Sequence, residues 1–443
     1  MNKEDIIRKI KEEGISYIRL IFTDLSGILK NVEVPSTLID KILDGKVTFD
    51  GSSIEGFVRI VESDMLLKPC LDTFRVFSWE NSDYGKVAGI FCDINTPAGE
   101  PFKGDTRKVL KDAIKRLNDM GYDSFHVGFE PEFYLLRTDE EGNPKIEYTD
   151  EGSYFDLAPT DTQVDCRRAI IAELTASGFD IEAGHHEVGP GQHEINFTHD
   201  EVLTACDNVQ LFKLIVKNVA RRFGVHATFM PKIRADIAGS GMHTNMSIFN
   251  KEQQNIFFDE KGELGLSQEA YYFIGGINHY IKDICVLTNS SVNSYKRLVP
   301  GFEAPCYVSY SDSNRSALIR IPASRGKSTR CELRMVDPTC NPYLAMAAVL
   351  IAGLDGIANK IDPGKPIRED IFKLSEQERK EKGIDHVPYD LYNALLTFKE
   401  SEISHRILND HLLERFITSK THEWDDYRKQ VHEWEIRRYI NKY

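Results

Sequence analysis

Cysteine is sparse and badly spaced for chemistry: eight residues, at 70, 92, 166, 206, 285, 306, 331 and 340, with no Cys-x-x-Cys pair. That spacing excludes a zinc knuckle and a paired-thiol redox site, and it predicts buried free thiols of a reducing compartment. Long apolar runs are missing. The longest, Tyr343 to Leu354, falls short of the roughly 20 residues that span a bilayer. The opening Met1-Asn2-Lys3-Glu4-Asp5 carries charge where a signal peptide has an apolar core. These absences predict a cytoplasmic protein without membrane contact. Basic excess is missing as well. The net charge is −14 and the pI about 5.5, so phosphate backbones are repelled and direct nucleic-acid binding is not expected. Internal repeats and low-complexity stretches are absent, which removes solenoids and biased tails.

Three common site motifs also fail. Gly326-Lys327-Ser328 resembles the end of a phosphate loop, but Ile321 stands where its first glycine belongs. Gly239-Ser240-Gly241 has Thr244 in place of a third glycine, and His186-Glu187 has Pro190 in place of a second zinc histidine. P-loop, dinucleotide fingerprint and zinc-protease motif are therefore excluded.

What is present begins with Phe125 to Leu136, an aromatic and branched run that reads as a strand and contains Glu130-Pro131-Glu132. Residues two apart on a strand share a face, so both carboxylates emerge together. Two such acids repel unless a cation or an arginine lies between them; the structural alternative is a solvent-facing strand with two surface acids. Pro131 predicts an edge or bulge, because it cannot donate to a ladder.

The 443 residues suggest two or three domains. Residues 1 to about 100 read as a small strand-rich unit: a helix over 4–13, then strands Tyr17–Thr23, Leu29–Val34, Phe74–Trp79 and Val87–Asp93. Asn95 to Pro101 marks the boundary. Beyond it, helices are expected over Thr106–Met120, Asp161–Ser177 and Leu203–Phe223, another opening at Asn341-Pro342, and one or two in Trp424–Tyr443. Strands mixed with helices, without a βαβ rhythm, favour an α+β fold with antiparallel sheet.

Further polar groups follow. Glu187 and Glu194 flank Gly189-Pro190-Gly191, so strands folded about that turn bring them together. His243 follows Gly239-Ser240-Gly241, and Arg330, Glu332 and Arg334 alternate along one strand. Hard oxygen donors with one imidazole suit Mg²⁺ or Mn²⁺ better than Zn²⁺. Between Lys296 and Arg334, six further cations (Arg297, Arg315, Arg320, Arg325, Lys327, Arg330) face only Glu303, Asp312 and Glu332. A basic segment in an acidic chain reads as an anion site; a salt-bridged structural stretch is the bland reading. Metal-type acids beside anion-type arginines describe phosphoryl transfer.

With Phe49-Asp50-Gly51-Ser52-Ser53-Ile54, Glu62-Ser63-Asp64-Met65, Phe129–Phe133, Gly239–His243, Asn293–Pro305 and Asn341-Pro342-Tyr343, the chain resembles class I bacterial glutamine synthetases over essentially its full length, and within them the shorter, feedback-inhibited branch. The resemblance implies a small β-grasp-like N-terminal domain (1–100). A large catalytic domain (101–443) would follow, with a curved antiparallel sheet and surrounding helices. It implies ATP as co-substrate and two Mg²⁺ or Mn²⁺ ions per site, one on Glu132, Glu187 and Glu194, the other on Glu130, His243 and Glu332. Gly239, Arg297 and Arg334 would grip glutamate, and Arg315 and Arg320 the phosphoryl group. Glu182, Ser247, Lys327 and Arg330 would contact the nucleotide. Glu303 would close over an acyl phosphate. Asp50 and Ser53 from a neighbouring subunit, with Tyr154 and Glu187, would form the ammonium pocket, Asp50 taking the proton. Two stacked hexameric rings, feedback by glutamine at Arg59 and binding of transcriptional regulators through the C-terminal region are also implied. Ala238, Asn245 and Ile233-Arg234-Ala235-Asp236 depart from the family pattern. His185, His186 and His193 receive no ligand role. A ligase for another amine, and a non-catalytic scaffold, remain alternatives.

Overall fold

The computed structural model describes residues 1–52, 54, 56, 64–302 and 304–443, so Ser53, Arg59 and Glu303 lie outside the described residues. Six strands make the first sheet: β1 (Ile15–Thr23), β2 (Leu29–Pro35), β3 (Val47–Asp50), β4 (Asp64–Pro69), β5 (Arg75–Ser82) and β6 (Gly85–Asn95). Their order is β2-β1-β6-β4-β3, with β5 also on β6. The helix Lys3–Glu13 precedes them, closed by an Asn2/Asp5 capping box and by Gly14 in the left-handed region. This is a β-grasp-like unit, and its β1–β6 pair is parallel within an otherwise antiparallel sheet.

The second sheet holds ten strands: β7 (Ser124–Thr138), β8 (Pro144–Tyr148), β9 (Ile181–His186), β10 (Gln192–Phe197), β11 (Asp200–Glu201), β12 (Val225–Thr228), β13 (Met242–Phe249), β14 (Tyr307–Ser311), β15 (Ala317–Arg320) and β16 (Cys331–Leu333). The order is β14-β15-β16-β13-β7-β10-β9, with β8, β11 and β12 also on β7. Only β14–β15 is parallel among these pairs.

β7 corrects one expectation. Pro131 sits on the most heavily paired strand, opposite Met242, and not at an edge. Glu132 donates its N–H to Gly241 O at 3.0 Å on the β13 side. Backbone groups alternate sides along a strand, so the Pro131 nitrogen faces the other flank. There β10 pairing ends at Glu132↔Glu194 and resumes with β11 only at Val127↔Asp200. The missing donor falls in that gap, which is how a proline is tolerated in mid-sheet.

Helices cover the second sheet. Pro342–Asn359 is apolar on all sides and buried from Pro342 to Gly356, which makes it a core helix although it is long and apolar enough to cross a membrane. Asn341 caps it, accepting from Tyr343 N at 3.1 Å and Leu344 N at 3.4 Å, with Pro342 in the first turn as expected. Its Nδ2 donates to the carbonyls of Asp24 and Leu25, so the cap also ties down the β1–β2 turn. Losing such a cap costs about 1 kcal/mol. Arg107 is the second tie. It is buried, gives two hydrogen bonds to Asp207 at 2.9 and 2.7 Å, and reaches Asp93 in β6 at 2.7 Å.

Candidate active site

The long strand β7 carries Glu130 and Glu132, and β13 sets His243 directly opposite Glu130. β16 adds Glu332 opposite Asn245 of β13. Three neighbouring strands thereby bring Glu130, His243 and Glu332 within 4.8 Å of one another. His243 Nδ1 lies 3.6 Å from Glu130 and 3.7 Å from Glu332, and its Nε2 lies 3.8 Å from Glu132. These separations exceed hydrogen bonds, so the acids are gathered without full compensation. β9 and β10 fold about the Gly189-Pro190-Gly191 turn and bring Glu187 and Glu194 together, with His185 in the same cluster.

Both clusters open on one cavity of about 350 Å³, also lined by Tyr154, Gly239, Arg297, Arg315, Arg320 and Arg334. Acids and arginines line it together. Arg320 Nε bonds Glu332, and the buried Arg297 donates to Met335 O at 2.8 Å and Arg334 O at 3.1 Å. Arg334 Nε is buried with no hydrogen-bond partner among the described residues. Such a donor is a natural point for an acceptor on a bound anion. The glycines of Gly239-Ser240-Gly241 are explained by Arg297: a Cβ on Gly239 would meet Pro231 O at 2.4 Å, and one on Gly241 would meet Arg297 NH2 at 2.5 Å.

A second cavity of about 260 Å³ lies on the other side of Glu130, lined by Glu182, Ser247, Lys327 and Arg330 together with His126, His199 and Asn196. Asn245 links the two. Its Nδ2 donates to Glu130 at 2.9 Å and its Oδ1 accepts from Arg330 at 2.9 Å.

The electrostatics follow the burial. Burial pushes the Glu130 carboxyl up, but His243, Asn245 and Arg320 hold it below the usual range. Burial holds Glu132 above that range, with Glu194 adding to the rise and His243 opposing it. Burial and Arg334 disfavour charge on His243, yet Glu130, Glu132 and Glu332 prevail and raise it. The donor sets fit hard divalent cations: carboxylates dominate and an imidazole completes one group.

Asp50 ends β3, is exposed, and accepts from Ser52 N at 2.8 Å; it lines neither cavity of its own chain. Tyr154 is 43% exposed at the cavity edge, its ring 5.6 Å from His185. Motif reading missed Gln192 and Phe302. Gln192 Nε2 donates to Glu132 and to Gly239 O, each at 3.1 Å, a link visible only once strands are paired. Phe302 lines the first cavity. The departure at Ala238 enters through backbone, its carbonyl accepting from Tyr134 Oη at 2.7 Å.

Acids and arginines gathered in one cavity, on a curled sheet behind a β-grasp unit, define an enzyme built for phosphoryl transfer. The family described as "Glutamine synthetase, beta-Grasp domain" matches residues 14–97, and "Glutamine synthetase, catalytic domain" matches 103–439. The chain is 52% identical to glutamine synthetase of Staphylococcus aureus strain Mu50 over 441 residues, covering 100% of this chain and 98% of the relative. The Staphylococcus epidermidis strain RP62A enzyme matches equally, at 52%. Among solved structures, a GmaS/ADP complex superposes with TM-score 0.89 at 31% identity, and Plasmodium falciparum glutamine synthetase with 0.87 at 25%, each over 99% of both chains. The chain belongs to the glutamine synthetase family, ligases that make glutamine from glutamate and ammonia using ATP and divalent metal.

Proposed function

We propose that this ligase works through γ-glutamyl phosphate, with the work divided between the acids and the arginines that line the 350 Å³ cavity. The convergence of Glu130, Glu132, Glu187, Glu194, His243 and Glu332 on that cavity carries the reading. Glu132, Glu187 and Glu194 would hold one ion near ammonium and glutamate, and Glu130, His243 and Glu332 a second beside the ATP phosphates. Mg²⁺ or Mn²⁺ would polarise phosphoryl oxygens and neutralise developing charge. Arg297, Arg334 and the Gly239 backbone orient glutamate, and Arg315 and Arg320 meet the transferred group. Glu182, Ser247, Lys327 and Arg330 line the cavity that suits the nucleotide. Glu303 is assigned by resemblance to shielding the acyl phosphate, since water would hydrolyse it.

Asp50 is assigned to a neighbour's site: it is exposed and lines neither cavity of its own chain. With Ser53, Tyr154 and Glu187 it would hold NH₄⁺ and take its proton, releasing nucleophilic NH₃. Two stacked hexameric rings and a cytoplasmic location are carried over from the family resemblance, and the two family matches, 14–97 and 103–439, support a division near residue 100 into N-terminal and catalytic domains. Membership of the shorter branch supports feedback by glutamine through Arg59 and regulator binding through the C-terminal region; Arg59→Ala should then blunt inhibition by glutamine.

ATP-dependent γ-amide formation from glutamate with ammonium, methylamine or putrescine as acceptor tests the reading. Ammonium should be preferred, and ADP should appear in step with glutamine. A preference for an alkylamine would identify another ligase of the same fold, and no ATP-dependent product would favour the scaffold.

A further inference from the structure

Behind the turn that carries Glu187 lies a third group of acid and imidazole. Asp150, His186 and His193 are buried, and their ligand atoms lie within 4.8 Å of one another. None of them lines either cavity. Two imidazoles and a carboxylate are a transition-metal donor set. The hydrogen bonds exclude that use. His186 Nδ1 faces the Glu187 carbonyl at 2.6 Å and its Nε2 faces Asp150 at 3.0 Å. Both partners accept, so both nitrogens carry protons and neither has a lone pair to give. His193 Nδ1 lies 2.9 Å from the Arg167 guanidinium, which only donates, so the proton of His193 sits on Nε2.

These bonds grip the ends of the turn. Asp150 takes His186 before it and Gly191 N after it, the latter at 2.8 Å. Gly152 makes room, since a Cβ there would stand 2.6 Å from His186 Nε2. Arg167, on the helix Val164–Ala176 and ion-paired with Asp161 at 2.6 Å, fixes His193, one residue before Glu194. His186 and His193 face each other in the β9–β10 register. Glu187 and Glu194 thus leave the sheet beside pinned residues. Glu130, His243 and Glu332 depend on the β7–β13–β16 ladder instead.

We propose that Asp150 and Arg167 are positioning residues, a buried charge network that sets where Glu187 and Glu194 hold their ion. This rests on the ligand reading above. Mn²⁺ binding to the full-length protein without substrates, followed by electron paramagnetic resonance of free Mn²⁺, separates the two. Glu194→Gln identifies the binding class on the Glu187–Glu194 side, and Glu332→Gln the other. In Asp150→Asn and Arg167→Met the first class should weaken by about ten-fold or more, the loss typical of an outer-shell partner, while the second stays within about two-fold. Arg167→Lys keeps a donor for His193 and should recover part of the loss. If Asp150→Asn does not fold, Asp150→Glu keeps the charge but displaces the clamp, and it must weaken the same class. Equal weakening of both classes, or of neither, overturns the proposal. If Glu194→Gln leaves Mn²⁺ binding intact, the ligand assignment falls first and the positioning role with it, a distinct result.

Discussion

Asp150, His186 and His193 match Glu130, His243 and Glu332 in spacing and mix carboxylate with imidazole in the opposite proportion, and they differ in what surrounds them. In the first group the protein supplies every partner: Arg167 and Gly191 N donate, and the Glu187 carbonyl accepts from His186. Asp150 is correspondingly low, at about 2; burial opposes its charge, but His186, Gly152 and Gly191 overcome it. In the second group Glu130 accepts from Asn245 and Glu332 from Arg320, while the imidazole between the two acids stands 3.6 and 3.7 Å away, outside hydrogen-bond reach. Ligand spacing alone does not separate an ion site from a brace. The inventory of donors and lone pairs does.

The largest effects are expected at Glu130, His243 and Glu332. Glu130→Gln and Glu332→Gln should each lower kcat/KM by more than about 100-fold at fixed Mg²⁺, exceeding outer-shell losses. The deficit should shrink as Mg²⁺ is raised, with glutamate KM changing less than ATP KM. Unchanged Mg²⁺ dependence would make these acids a second brace and erase the contrast.

Asp50 tests whether the site needs another chain. Asp50→Ala and Glu332→Gln should each be nearly inactive. Dissociated, mixed equally and reassembled, they should recover about a quarter of wild-type activity, because two independent halves must both be intact at an interface of a closed ring. Verified mixed rings without recovery would return both residues to one chain's site.

Sequence reading found the acids because Glu130-Pro131-Glu132 and the Gly189-Pro190-Gly191 turn are local signals. It could not separate the two imidazole groups, since Asp150 meets His186 across 36 positions. Local patterning also located most strands of the first sheet and the helix Thr106–Asp119. It passed over the helix Gln268–Thr288, where Gly275-Gly276 reads as an interruption. Those glycines instead admit a close helix contact: a Cβ on Gly276 would meet Ala352 O at 2.2 Å. Pro131 misled for the same reason, because its tolerance depends on a gap between β10 and β11. Non-local pairing decides all of these.

Asn245 sharpens the comparison at intermediate size. It is a neutral partner to Glu130 and Arg330 at once. Asn245→Ala should raise ATP KM by about five- to ten-fold, from loss of about 1 kcal/mol per hydrogen bond, while glutamate KM moves little. Equal rises in both would make Asn245 a general packing residue.

Lys232 stands between the two kinds of group, partly compensated by weak partners. It is 5% exposed, bonds Ile237 O within the loop that leads to Ala238 and Gly239, and lies 3.6 Å from the centroid of Phe302. Burial, with Arg297 adding to the effect and Asp236 opposing it, brings its ammonium down to about 8. The group is charged at neutral pH and loses its proton as pH passes 8, releasing the ring that lines the 350 Å³ cavity proposed to take glutamate. Glutamate KM should therefore rise by about three- to five-fold between pH 7.5 and 9, the size of one cation–π contact. Stability moves the other way. The unfolded chain binds the extra proton between about 8 and 10.4, so stability from this group increases with pH across that window. Lys232→Arg keeps its charge and should lose the alkaline rise in KM. Were that rise to persist unchanged in Lys232→Arg, another group would own it, and Lys232 would join Asp150 as a brace that does not titrate in the working range.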